Sequence, residues 1–525
     1  MVTHLKVVLV GALLSANVDL ASAGSPLKDM LAVPSIGTRQ AIQALTPPAV
    51  GKVPVPNLRP ELPPSNLKEL KVDPLRLPPS KDAQAPVDAT GKANVPFVAH
   101  DSIILQFEPN VTQSQVDDYI RTNNFEVVQT FPSIGAVQVK TDLSKFFQPQ
   151  ISDDSANDAI LRGLVEASTE FKKDPRIREA TPDVVLRGQS DITNLMTVTN
   201  IMNGADTKMT DWGVQDIQAD QLWDRRGARR GVIIGIMDVG FVEHDNLIFL
   251  DFVDGTPAAD HGTHVSGIAC ASHSVPRGIR GVLPNCFVRA RYGDVFFQST
   301  EGGQVTKFFA LFSQILGSLT SFVDSFDDVN TFNISLGYNW MSNFGINPDD
   351  PGSSNWRAIV EIQGPLLVTL LQSAARKGKV IFSAAGNDST GLNPPIDAKY
   401  ASPFNWAAIT ARERGIKNGV IVEAHDKQGK RASFSNKGGD ISCPGVDILS
   451  TVAFDGNKQQ SSSAYGEMSG TSMASPYCAA GLVLFRLVRP NYSGEAALAC
   501  LYNSSAKSTS GVPMLRLQDA VNACP

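Results

Sequence analysis

Apolar and polar positions change their rhythm along the chain, and each change marks a boundary. From Gly24 to about Pro96 there is no repeating apolar face, only Pro, Lys, Leu and Ala with proline pairs at Pro47-Pro48, Pro63-Pro64 and Pro78-Pro79. Such a segment favours extended, polyproline-like backbone, so residues 24–100 are expected to form a disordered leader. Periodicity starts at Asp101. DSIILQF alternates as a strand; Thr112 with Gln115 is a capping-box pair opening a helix through Asn123; FEVVQT and IGAVQVK form a strand pair around Pro132-Ser133. A helical pattern then covers Ala156 to Phe171, and IREATPDVVLR closes as a strand. The order βαββαβ over 101–187 predicts a small α+β unit of the split-βαβ, ferredoxin-like kind.

After a polar stretch at 188–210 the strands change character. GVIIGIMDVG (231–240) is a continuous apolar run, as expected of a parallel strand buried on both faces, and FVRARYG, TFNISLG, KVIFSAAG and AAITAR resemble it. Helical patterns intervene at 303–325 and 355–376, the second interrupted near Gly364-Pro365. This alternation predicts an α/β unit over 211–525 with a parallel sheet, whose active groups would collect beyond the carboxyl ends of the strands. SGTSMASPYCAAGLVLF (469–485) is expected to open a long apolar helix, with Pro476 in its first turn.

A chain of 525 residues implies more than one folded unit, and 42% hydrophobic with 19% charged residues is ordinary globular composition. A net charge of -6, without a basic run interleaved with aromatics, gives no reason to expect nucleic acid or an anionic membrane as partner. Lys6, the apolar run Val7 to Ala16 and Ala21-Ser22-Ala23 before Gly24 have the form of a secretory signal, so 1–23 is expected to be removed on export. No later stretch is expected to cross a bilayer. The six cysteines all lie in the C-terminal half, which in an exported protein favours disulfides. Proximity in sequence suggests Cys270 with Cys286 and Cys500 with Cys524. The absence of CxxC spacing argues against a zinc site.

Ser472 lies among small residues at the mouth of the last long helix. A serine hydroxyl needs a base within hydrogen-bond reach and an acid to orient that base. Asp238 ends the buried run at 231–240, and His261 stands in DHGTHVSGI with glycine beside it. His261 and His264 are three apart on an expected helix and could both face a metal, but the glutamate that would complete HExxH is absent, which argues against one. Asn387, where KVIFSAAG meets the next turn, offers a side-chain amide for a developing oxyanion, with the Ser472 backbone N–H as second donor. Asn387-Asp388-Ser389 is also a formal glycosylation sequon, a reading that conflicts with that role.

With IGIMDVGF, DHGTHVSGI, NISLG, SAAGN, RASFSN, CPGVDILST and SGTSMASP in this order from about Trp212 onward, the chain resembles the subtilisin-like serine proteases, or subtilases. The resemblance implies a secreted serine endopeptidase acting on polypeptides. Ser472 would be the nucleophile, His261 the general base and acid, Asp238 its orienting acid and Asn387 an oxyanion donor. Ser335, Leu336 and Gly337 would form one wall of the primary specificity pocket, and Ala384, Ala385 and Gly386 the other. It further implies that 101–187 is a prodomain acting as intramolecular chaperone and inhibitor, joined by a processing linker at 188–210. No cofactor is implied for the chemistry; structural calcium is possible, though no ligand loop matches. Three departures stand out. Val239 follows Asp238 where relatives usually place Ser or Thr, Tyr338 follows Gly337 where many have a small residue, and Cys443 and Cys478 replace common Ala and Val. The alternative function is a catalytically silent binding protein that retains its prodomain.

Overall fold

Two sheets carry the chain, and the order of their strands follows from where the apolar runs fall. The computed structural model describes residues 72–74, 97–146, 155–188, 201–203, 208–251, 259–292, 300–301, 304–305, 308–341, 345–454, 460–503 and 506–524. The expected signal segment, and the leader apart from 72–74 and 97–100, lie outside the described residues.

Strands β1 (Val72–Pro74) and β2 (Phe97–Phe107) precede helix α1 (Gln113–Thr122), then come β3 (Glu126–Phe131), β4 (Ala136–Lys140), α2 (Ser155–Phe171) and β5 (Ile177–Gly188). Strand β2 begins at Phe97, earlier than the expected Asp101, and β1 pairs with it from within the supposed leader, Val72 opposite Ala99. The capping box forms as the sequence suggests: Thr112 accepts from the Gln115 N–H and the Gln115 side chain accepts from the Thr112 N–H. Strands run in the order β5-β2-β4-β3, all antiparallel. One face buries Ile103, Leu105 and Val139 together with Leu164 of α2. The other presents Ile104, Phe131 and Ile134 to the second unit.

The second unit runs β6 (Ile201–Asn203), β7 (Lys208–Thr210), α3 (Trp212–Asp216), β8 (Val232–Asp238), α4 (Ala259–Cys270), β9 (Gly278–Arg280) and β10 (Cys286–Tyr292). It continues through β11 (Thr300–Glu301), β12 (Gln304–Val305), β13 (Phe308–Leu311), α5 (Phe312–Ser325), β14 (Thr331–Ile334), α6 (Ser354–Arg376) and β15 (Val380–Ala384). Then follow α7 (Pro403–Glu413), β16 (Gly419–His425), β17 (Ile441–Pro444), β18 (Ile448–Phe454), β19 (Gln460–Met468), α8 (Thr471–Val488), α9 (Gly494–Tyr502) and α10 (Leu517–Ala523). Its central sheet has six parallel strands in the order β10-β8-β14-β15-β16-β17. Successive residues point to opposite faces. Ile234, Ile236, Phe382 and Val422 therefore pack with Val265 of α4 and Leu482 of α8, while Met237, Ile381 and Ile421 pack with α5, α6 and α7. Both faces are covered, which is why these strands carry continuous apolar runs.

The two units share more than a covalent link. Strand β13 pairs antiparallel with β5, extending the first sheet. Asp183, fully buried on β5, accepts from the Ser313 N–H (3.0 Å) and hydroxyl (2.6 Å) at the start of α5, and from Gln138 Nε2 (2.9 Å). Thr181 donates to the Ile362 carbonyl of α6, and the Ser133 N–H donates to Asp324 near the end of α5.

Several expectations need correcting. AAITAR is not a strand but part of α7, because Ser402 caps that helix from its Oγ and Pro403 opens it, burying Ala407, Ala408 and Ala411 on one face. The helix expected from 303 starts only at Phe312, after β13, where Asp183 supplies its cap. Helix α6 runs unbroken through Pro365. Gly364 lets Trp406 of α7 lie where a Cβ would come within 2.1 Å, and that packing outweighs the lost hydrogen bond. Pro476 lies inside α8, beyond its first turn. Two helical stretches, Trp356–Arg376 and Thr471–Val488, are long and apolar enough to cross a membrane, contrary to expectation, yet 61% and 78% of their apolar windows are buried in the core. All six cysteines pair: Cys270–Cys286 and Cys500–Cys524 as proximity suggested, and Cys443–Cys478.

Candidate active site

Asp238 is the last residue of β8 and is wholly buried. Its Oδ1 accepts from the Val239 N–H at 2.8 Å and from His261 Nδ1. Helix α4 can bring His261 this close because its neighbour is Gly262: a Cβ there would sit 2.0 Å from the Gly240 carbonyl oxygen and 3.0 Å from Asp238 Cβ. Asp238 Oδ2 is buried with no partner among the described residues. Val239, the next residue, has no side-chain hydroxyl to offer it. One turn along α4, His264 donates through Nε2 to the carbonyls of Ile448 and Gly466, fastening the helix to β18 and β19. Burial drives its pKa down to about 3, so it is neutral. No cluster of three or more His, Cys, Asp or Glu side chains placed to hold a metal ion occurs among the described residues.

Strand β19 leads through Ser469 and Gly470 into α8, where Ser472 is the second residue and 8% exposed. Its hydroxyl donates to the Ser335 carbonyl at 3.4 Å. In return, the Ser335 hydroxyl donates to the Ser472 carbonyl at 3.0 Å and accepts from Asn333 Nδ2 at 2.8 Å. Pro476 explains the exchange. Proline has no N–H to give the carbonyl four residues back, which is that of Ser472, and Ser335 takes the place of the missing donor. Ser335→Ala is therefore expected to cost about 1–3 kcal/mol in a denaturant titration, because the buried Ser472 carbonyl loses its partner.

Asn387 is held by its oxygen: Oδ1 accepts from both the N–H and the hydroxyl of Thr471, each at 2.9 Å. Its Nδ2 is thereby turned outward. A Cβ placed on Gly470 would lie 3.5 Å from Asn387 Nδ2 and 3.7 Å from the Ser472 backbone N, so the two donors flank one point in space. Thr471 was not anticipated as a functional residue; its adjacency to Ser472 was the available signal.

The profile of the subtilase family matches residues 229–518, more than half of the chain. The chain belongs to the subtilase family. It is 28% identical over 294 residues to an alkaline protease of Alkalihalobacillus alcalophilus, a match covering 54% of this chain and 61% of that one. Subtilisin Savinase of Lederbergia lenta is likewise 28% identical over 294 residues, 54% of this chain and 86% of its own. A thermostable alkaline protease of Halalkalibacterium halodurans is 26% identical over 344 residues, 63% of this chain and 78% of its own. The chain thus spans less than two thirds of the length of the first of these subtilases.

Within this subtilase, Ser335, Leu336 and Gly337 follow β14, and Ala384, Ala385 and Gly386 follow or end β15, at the carboxyl ends of neighbouring parallel strands. Gly386 has φ +99°, and a Cβ there would meet Asn436 Nδ2 at 2.5 Å. Tyr338 turns away into the core, where its hydroxyl donates to Gln363 of α6 and its ring packs on Trp340. The Cys443–Cys478 bridge ties β17 to α8, and the Gly470 N–H donates to the Gly445 carbonyl at 2.8 Å, so the loop before Ser472 is anchored on both sides.

Proposed function

We propose that the protein is an exported serine endopeptidase, hydrolysing polypeptides through an acyl-enzyme and made as an autoinhibited precursor. The observation that carries the reading is the buried Asp238–His261 pair in a subtilase whose Ser472 and Asn387 meet at the start of α8. In the reaction, the Ser472 hydroxyl rotates off the Ser335 carbonyl toward His261 Nε2. Its oxygen attacks the peptide carbonyl while His261 accepts the proton. Asp238 stabilises the imidazolium and fixes its Nδ1 proton. Asn387 Nδ2 and the Ser472 N–H receive the oxyanion. His261 then protonates the leaving amine, and water repeats the sequence to release the acyl group. Segments 335–337 and 384–386 are the walls that hold the substrate side chain.

The βαββαβ unit is proposed as the inhibitory prodomain, supported by its contacts with α5, α6 and β13. The second unit's three disulfides fit an extracellular or periplasmic destination. The test is labelling of the secreted protein by a fluorophosphonate probe. Adduct on Ser472, lost in Ser472→Ala, is the expected result; a stable full-length protein that never labels would overturn it.

Association of the two units should depend on pH. Burial, with a smaller contribution from the neighbouring Asp101, pushes the Asp183 carboxyl up to about 6, against the hydrogen bonds from Ser313 and Gln138. Freed, it would titrate near the ordinary aspartate value of about 3.9. The associated state therefore binds the proton more tightly, and this stabilisation, complete below about pH 4, is lost as pH rises through 6. Retention of the cleaved prodomain in gel filtration is expected to be about 10- to 100-fold tighter at pH 4.5 than at pH 7.5, with a flatter dependence in Asp183→Asn.

A further inference from the structure

Asp388 follows the oxyanion donor and has no part in the chemistry above. Its side chain is 3% exposed. Oδ1 accepts from the Met341 N–H at 3.0 Å, and Oδ2 accepts from Asn436 Nδ2 at 3.2 Å. Asn436 is fully buried and completes a closed set. Its Oδ1 accepts from the Asp388 N–H at 3.0 Å and the Ser389 hydroxyl at 2.9 Å, and its own N–H donates to the Gly386 carbonyl at 2.9 Å.

The two donors to Asp388 come from opposite sides of the proposed pocket. Asn436 grips the 384–386 segment through Gly386. Met341 ends the stretch leaving Gly337, and that stretch is itself rigid: the Tyr338 N–H donates to the Ala401 carbonyl at 2.8 Å, Asn339 has φ +46°, and Trp340 Nε1 donates to the Tyr400 carbonyl at 2.8 Å. One carboxylate thus holds one oxygen on each wall. No cation pairs with it among the described residues, and its burial pushes its pKa up to about 6, which a group placed only for stability would gain little from.

We propose that Asp388 is a positioning residue for substrate selection: acting through the Met341 N–H and Asn436, it fixes the separation of segments 335–337 and 384–386 and so the size of side chain accepted at P1. The inference rests on the reading of those segments as pocket walls.

The hydrogen-bond pattern supplies its own test. In Asp388→Asn the new NH2 faces a donor whichever way the amide turns. In Asn436→Asp two carboxylates face each other. The double exchange Asp388→Asn with Asn436→Asp restores every pair: the amide oxygen at 388 accepts from Met341, its NH2 donates to the carboxylate at 436, and that carboxylate still accepts from the 388 N–H and from Ser389. Each protein is expressed as the full chain. Its secreted form is assayed on two peptide anilides differing only in phenylalanine or alanine at P1, and for the rate of fluorophosphonate labelling at Ser472. Each single exchange is expected to change the ratio of kcat/KM for the two anilides by about fivefold or more, with labelling within about twofold of wild type, and the double exchange to return the ratio to the wild-type value. An unchanged ratio in the single variants overturns the proposal, as does a fall of labelling and both substrates by one common factor. Should the single variants not fold, the double exchange decides: folded with the wild-type ratio supports it, and unfolded or with an altered ratio overturns it. Failure of the wild-type protein to label would instead overturn the proposed active site.

Discussion

Asp238→Ala is expected to lower kcat about 10,000-fold, the scale of loss subtilisin suffers when its own triad acid is removed. The effect is large because both functions of the carboxylate disappear together, the acceptor for the His261 Nδ1 proton and the charge facing the imidazolium. Asp238→Asn should be milder here than in enzymes whose triad acid has both oxygens engaged. Only Oδ1 is used, by His261 and the Val239 N–H, while Oδ2 is unpartnered among the described residues. An asparagine can leave its oxygen in the working position and turn its NH2 into the vacant one, keeping the imidazole tautomer and losing only the charge. Single-turnover kinetics of the two variants should therefore separate. Equal losses would show that the charge alone matters.

Removal of the proposed oxyanion amide in Asn387→Ala is expected to lower kcat about 100- to 1,000-fold with little change in KM, the range known for such a donor in subtilisin. The hold on Asn387 adds a second expectation. Its oxygen accepts twice from Thr471. Thr471→Val leaves the N–H contact but removes the hydroxyl, so it should give a smaller loss in kcat of the same kind, measured on the same substrate. A rise in KM without loss of kcat in either variant would place these residues in ground-state binding instead.

How much of this was legible in the sequence depends on the range of the interactions involved. The strands at 231–240, 331–334 and 380–384 declare themselves because burial on both faces demands a continuous apolar run, and that demand is local. AAITAR defeats the same rule, since a short apolar run suits a buried helix equally, and the deciding signal was the Ser402-Pro403 cap before it. Strands β16 to β19 went unread behind motifs interpreted only for their chemistry. At the proposed site, Asp238, His261, Ser472 and Asn387 were singled out through residue type, order and resemblance to the family. Their supports were not. The exchange between Ser335 and Ser472, the grip of Thr471 on Asn387 and the Asp388–Asn436 set all join residues tens of positions apart, through groups that are individually unremarkable. Val239 was the exception, because the resemblance to subtilases, which usually place Ser or Thr after this acid, draws attention to the missing hydroxyl, and the Asp238 Oδ2 beside it has no partner among the described residues.

If the first unit is released as proposed, its strand pairing with β13 is lost with it. While β5 is in place, the backbone of Phe308–Leu311 is paired on one side, as the outer strand of the first sheet. With β5 gone, the same residues would lose their one ladder partner among the described residues, leaving an unpaired strand edge whose N–H and C=O groups an extended chain can satisfy through main-chain hydrogen bonds alone. Such an edge does not discriminate among side chains. Any unfolded segment, including one from a second copy of the protein, can compete for it, so activation would bring with it a new tendency toward self-association that grows with concentration.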